Sequence, residues 1–249
     1  DAAGWTNHNG NVSTTKRIND SAAWSNSGSG NYPTTDTPTT RNNYSVWSGR
    51  LLDDSCYYMS IPNNASKIKV CGAISVATGK DKYFDFRAEG AQSYIWQRAT
   101  SGGSNVGFFY IASSNTAVKS PWYGSNDAVV NFVGGTYEMH HIYIGGQPAN
   151  QKWFGDVRIG VGNTGEGNAP YDTCLYASSG IHVYNGKVTI DGSKNTAAFT
   201  TDSSNINLAA PGKSAEIVLK GSKAKFAGGA KLIFCNGENS RAELTMEGG

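Results

Sequence analysis

The sequence predicts an all-β fold: a jelly-roll or β-sandwich module, then β-solenoid-like or meander strands, behind an extended N-terminal arm. Three observations carry this. Gly is 31 of 249 residues, well above the usual share of about 7%. Charged residues are only 16%, against about 25% in typical domains. Apolar residues come in short runs with strand alternation, broken by Gly, Asn, Ser or Asp at intervals of about 10 residues. Turn formers are plentiful and strong helix formers scarce, which favours many short strands.

Residues 1–46 form the expected arm. Ser, Thr, Asn and Gly dominate, and Pro33 and Pro38 sit in Thr-rich runs. Such a composition reads as a linker. Trp5 and Trp24 point instead to an extended segment whose aromatics dock on the body or on a neighbouring subunit; both readings stay open.

Residues 47–146 carry the expected sandwich. Ile68 to Val70 leads into Ala73-Ile74-Ser75-Val76. Tyr83-Phe84-Asp85-Phe86-Arg87, Tyr94-Ile95-Trp96, Val106 to Ile111, Ala128 to Val133 and Tyr137 to Ile144 follow. Regular short strands with this punctuation suggest two packed sheets. In the last of them, strict alternation places Tyr137, Met139, His141 and Tyr143 on one face and Glu138, His140, Ile142 and Ile144 on the other.

Residues 147–249 begin with a linker strand, Val157-Arg158-Ile159-Gly160-Val161, and a Gly- and Asn-rich loop from Gly162 to Asp172. Short apolar pairs then recur: Val188/Ile190, Ile206/Leu208, Ile217/Leu219, Leu232/Phe234 and Leu244/Met246. The i, i+2 spacing sets each pair on one strand face. Their irregular recurrence, every 11 to 18 residues or about that, suits coils of a β-solenoid stacked on one another. An antiparallel meander fits the same spacing.

The net charge of +2 and the lack of a tight Lys/Arg cluster argue against a nucleic-acid partner. No apolar run approaches the ~18 residues of a membrane span. Asp1-Ala2-Ala3-Gly4 suits a terminus left by signal cleavage, and the polar, weakly charged composition suits an extracellular or cell-surface location. Cys56, Cys71, Cys174 and Cys235 contain no CxxC pair, which disfavours zinc. A hairpin of Cys56 to Ser60 with Lys67 to Cys71, turning between Asn63 and Asn64, would bring Cys56 opposite Cys71 as a disulfide. Two buried thiols are the alternative.

No catalytic signature emerges. No Gly-x-Ser-x-Gly elbow surrounds a serine. Asp53 and Asp54 are adjacent and would point to opposite sides of a strand, the wrong geometry for a glycosidase pair. Gly212-Lys213-Ser214 ends like a phosphate-binding loop, but Asn207 stands where its first Gly must be. Glu138 and His140 share a predicted face and could form an acid/base pair or half a metal site. No cofactor is required, although Asn163, Glu166, Asn168 and Asp172 supply oxygens of the kind calcium takes, without EF-hand spacing.

Carbohydrate contact is the best positive signal. Sugar rings present apolar C–H faces to aromatic rings, and their hydroxyls need fixed polar partners. Trp122 and Tyr123 lie in a turn-rich loop followed by Asn126 and Asp127, and Trp96 ends another strand in the same style. A place in the core is the competing role for Trp122 and Trp96.

The runs Tyr57 to Ile61 (YYMSI), Lys67 to Cys71 (KIKVC) and Gly135 to Ile144 (GTYEMHHIYI) resemble jelly-roll modules of bacterial secreted polysaccharide-active and surface proteins. Residues 181–246 resemble β-helix segments of adhesins, phage tail spikes and pectate-lyase-like enzymes. Neither resemblance transfers a catalytic residue. Three functions are therefore expected in turn. The first is a non-enzymatic extracellular protein binding glycan or a cell surface. The second is a filament or phage-fibre subunit that self-assembles by strand exchange through its arm and C-terminal edge. The third is a fragment of a polysaccharide lyase.

Overall fold

The computed structural model describes residues 16–17, 44–47, 57–61, 63, 68–71, 74–78, 83–98, 108–112, 127–146, 151–162, 167–202, 205–229, 231–235 and 237–248. Among them every regular element is a strand and none is a helix. The strands are Lys16–Arg17 (β1), Tyr44–Trp47 (β2), Tyr57–Ile61 (β3), Ile68–Cys71 (β4), Ile74–Ala77 (β5), Phe84–Ala88 (β6) and Tyr94–Arg98 (β7). Then come Phe108–Ile111 (β8), Ala128–Val133 (β9), Gly135–Ile144 (β10), Gly155–Ile159 (β11), Thr173–Val183 (β12) and Gly186–Asp191 (β13). Ala197–Thr201 (β14), Ile206–Leu208 (β15), Ser214–Lys220 (β16), Ala224–Ala227 (β17), Leu232–Phe234 (β18) and Arg241–Glu247 (β19) complete them.

Two sheets result. The first has eight strands in the order β1-β3-β6-β9-β11-β13-β16-β19, and the second has eleven. Within the second, two rows run side by side: β4-β7-β10-β12-β14-β17, and β2-β5-β8-β10-β12-β15-β18. The long strands β10 and β12 belong to both rows. Every ladder between these strands is parallel. Parallel neighbours cannot be joined by a tight hairpin and need a long crossover. Here the crossover from one strand of the first sheet to the next is the pass through the second sheet. This is a pairing that fits a solenoid-like fold.

The inward side chains stack in columns. In the first sheet the registers carry Phe84 to Val130, Val157, Val188 and Ile217, and Phe86 to Phe132, Ile159 and Ile190, all fully buried. In the second sheet Ile95, Tyr137, Leu175 and Phe199 form one column, and Phe109, Ile142, Ile181 and Ile206 another. Phe86 is surrounded by aromatic rings, with centroids 5.0 Å from Phe84, 5.2 Å from Phe132 and 5.9 Å from Tyr137. Each such buried side chain contributes about 1.5–3 kcal/mol. The columns open to solvent at the last rung, where Leu232, Phe234, Leu244 and Met246 are exposed.

Tight corners hold the coils in register. Gly145 has φ 79°, and a Cβ there would lie 1.9 Å from the Asn185 carbonyl oxygen of the next coil. Only glycine tolerates both conditions. Polar side chains tie corner to corner, as where Asn185 Nδ2 donates to the Trp153 carbonyl at 2.9 Å.

Three expectations need correction. The antiparallel ladders of a jelly roll are not what forms over 47–146, because the described strands there pair in parallel across coils. The hairpin argued for Cys56 and Cys71 is not what β3 and β4 form: β3 lies in the first sheet and β4 in the second, where Cys71 is in register with Arg98 of β7. Cys56 itself lies outside the described residues. Finally, β10 does not alternate strictly. Two consecutive residues, His140 and His141, leave the core, so Ile142 and Ile144 point inward beside Tyr137 and Met139 while His141 and Tyr143 lie outside, and the ladder to β12 shifts register at the same place. The recurring pairs from Val188 onward do stack, but on alternate sheets: Val188 over Ile217 and Leu244, and Ile206 over Leu232.

Candidate functional site

The first row of the second sheet turns alternate residues outward. Trp96, Glu138, Tyr176 and Thr200 occupy successive rungs of β7, β10, β12 and β14. All four are partly exposed. Glu138 therefore stands between two aromatic side chains, one rung to either side, at the ~4.8 Å spacing of paired strands. Tyr94, on the same strand as Trp96, donates its hydroxyl to Glu138 Oε2. Tyr176 does the same to Asp202 Oδ2, just past the end of β14. Partial burial and this hydrogen bond to a carboxylate push the Tyr176 phenol up to about 12, so it stays a donor across the physiological range. The two contacts are copies of one device. Tyr94 faces Thr136, two residues before Glu138, and Tyr176 faces Thr200, two residues before Asp202. In each, a tyrosine reaches the carboxylate two residues along on the next rung.

The outer face of the second row is different. Tyr110, Tyr143, His182 and Asn207 occupy successive rungs. The Tyr143 ring stacks on His182 with centroids 4.5 Å apart and 9° between planes, and on Tyr110 at 5.4 Å. Phe108, His141 and Tyr184 flank the stack. The rings bury one another, leaving Tyr110 and Tyr143 each 8% exposed. This is a small second core rather than a platform, because ring faces meet ring faces. Burial lowers His182 to about 4, helped by the nearby His141, and lowers His141 to about 4, helped by His140. His182 Nδ1 lies 3.1 Å from Asn207 Nδ2, and His140 Nε2 lies 2.9 Å from Ser179 Oγ. Glu138 thus turns to Tyr94 while His140 turns to Ser179.

Of the expected ligand set, Trp96 and Asp127 lie among the described residues, and Trp96 is on an outer face. Asp127 is a corner residue: its carboxylate accepts the Phe154 N–H at 2.7 Å and its carbonyl accepts the Thr78 N–H at 3.0 Å. Trp122, Tyr123 and Asn126 lie outside the described residues, as do Asn163 and Glu166. Asn168 donates to Asp191 Oδ1 at 2.9 Å, and Asp172 accepts the Thr196 N–H at 2.8 Å. Both join neighbouring coils. Among the described residues no group of three or more His, Cys, Asp or Glu is arranged to hold a metal ion. Cys174 and Cys235 are free thiols, and burial raises the Cys174 pKa. No helix among the described residues is long and apolar enough to cross a membrane.

A shallow cleft of about 270 Å³ lies on the first sheet, lined by Phe154, Lys187, Glu216, Arg241 and Glu243 among others. Its charges pair with each other, Lys187 with Glu216 and Arg241 with Glu243, both at 2.8 Å.

No protein-family model, curated protein or solved structure matches the chain. The sequence reasoning singled out Trp96 and Glu138 separately and missed Tyr176 and Asp202. Only the parallel register brings these residues together, since neighbours in the column are tens of residues apart in sequence.

Proposed function

We propose that this is a non-enzymatic extracellular β-solenoid that binds glycan on the outer face of its second sheet. The observation that carries the reading is the order Trp96, Glu138, Tyr176 on three successive rungs. Aromatic rings take the apolar faces of pyranose units, and carboxylates accept hydrogen bonds from their hydroxyls. Tyrosine hydroxyls that fix Glu138 and Asp202 reduce the entropy lost when a sugar engages them. A surface rich in Ser, Thr and Asn and poor in charge is consistent with life outside the cell.

The test is a glycan array with Trp96→Ala and Tyr176→Ala. Each variant should keep the wild-type melting temperature and lose about tenfold in affinity for whatever glycan the wild type retains. The retained glycan should be recovered uncut. Undiminished retention by both variants would sink the assignment of this face.

A further inference from the structure

We infer that the glycan is an extended β-1,4-linked chain that crosses the rungs obliquely, with alternate sugar residues meeting Glu138 and Asp202. This rests on the glycan reading of the same face. Its basis is the duplication of the tyrosine–carboxylate device. Tyr94 with Glu138 and Tyr176 with Asp202 are displaced from each other by two rungs and by two residues along the strand. At ~4.8 Å per rung and ~3.3 Å per residue, the two carboxylate positions are roughly 12 Å apart. That is on the scale of a disaccharide unit.

A chain that uses both devices must offer the same hydroxyl edge twice, on the same side, at that interval. In a β-1,4-linked pyranose chain each residue is turned over relative to the one before, so the same edge recurs at every second residue of a nearly straight ribbon. An α-1,4-linked chain curls, and its equivalent edges leave the plane of a flat sheet. Among the described residues of this column, Trp96 and Tyr176 flank Glu138, the side chain at the next rung is the small Thr200, and all four are partly exposed. One face of a pyranose then lies over an aromatic side chain while its edge meets a carboxylate.

The test is isothermal titration of the full chain with cellohexaose, chitohexaose, cellobiose and maltohexaose. At least one of the two β-1,4-linked hexamers should bind tenfold or more tighter than cellobiose, and maltohexaose should bind no tighter than cellobiose. Glu138→Gln and Asp202→Asn should each weaken the hexamer at least fivefold with an unchanged melting temperature. Equal affinity for cellobiose and the hexamers, or for maltohexaose and the hexamers, would overturn the inference. So would loss of affinity in only one of the two variants. If the array retains some glycan but neither β-1,4-linked hexamer binds, the linkage is wrong and the glycan reading survives; if no glycan is retained, both fall.

Discussion

Asp85 lies between Phe84 and Phe86 and so points away from the core, yet it is fully buried. Its carboxylate accepts Asn131 Nδ2 at 2.6 Å from the next rung and Arg87 Nε at 2.9 Å. Arg87 is also buried, which makes this an ion pair in a low-dielectric setting. Truncating one partner of such a pair is costly, because the other charge keeps its desolvation penalty. Asp85→Asn preserves shape and removes charge, so no cavity contributes to the effect. It should cost about 3 kcal/mol in urea unfolding, and a loss below about 0.5 kcal/mol, the size of an ordinary surface change, would show that the pair behaves like an exposed one. The neighbouring Tyr137 phenol is held well above its usual pKa by burial and by the Asp85 charge, and it donates to the Gly134 carbonyl at 2.8 Å. From the sequence, Asp85 and Arg87 read as the polar half of an alternating strand. Their phase was legible; their burial was not, because it depends on what lies over the outer face.

The strand β10 shows what a change of phase does to an element. Up to Met139 the odd-numbered residues face inward, and beyond His140-His141 it is Ile142 and Ile144 that do. The apolar residues themselves change phase across His140-His141, so the shift left a trace in the sequence that strict alternation overlooks. Its consequence is the outward stack of His141, Tyr143 and, one rung on, His182. Both His141 and His182 drop from 6.5 to about 4 in the folded chain. Unfolding restores the ordinary pKa, so between pH 6.5 and 4 the unfolded chain binds more protons than the native one. Stability from these groups is therefore full above pH 6.5 and declines as pH falls toward 4. The denaturant midpoint should drop between pH 7.5 and pH 5, and His182→Gln should flatten part of that slope. A midpoint independent of pH over this interval in the wild type would remove the stack as a source of acid sensitivity.

At the scale of the molecule, alternation within a strand is the same for parallel and antiparallel neighbours, and this is why 47–146 read as a sandwich. Downstream of Val188 the coils are short, and their inward pairs repeat closely enough to suggest stacking. Upstream, the long excursion between β8 and β9 hides the period, and aromatic residues mask it further. The column of Trp96, Glu138 and Tyr176 was legible only in fragments, since these residues become neighbours through register alone. Register also dictates how stability is distributed. In a stacked array each coil is held mainly by its two neighbours. The inward residues of β10 and β12 are fully buried, with a coil on either side. Those of β18 and β19 are not: Phe234 is 45% exposed and Met246 79%. Local opening should therefore cost less at β17–β19 than at β10 and β12, where it should approach the global unfolding free energy. Hydrogen exchange should show it directly, with amides of 224–247 exchanging orders of magnitude faster than those of 135–144 and 173–183. Uniform protection across these strands would mean that the coils open as one unit, and the additive nearest-neighbour account of this fold would fail.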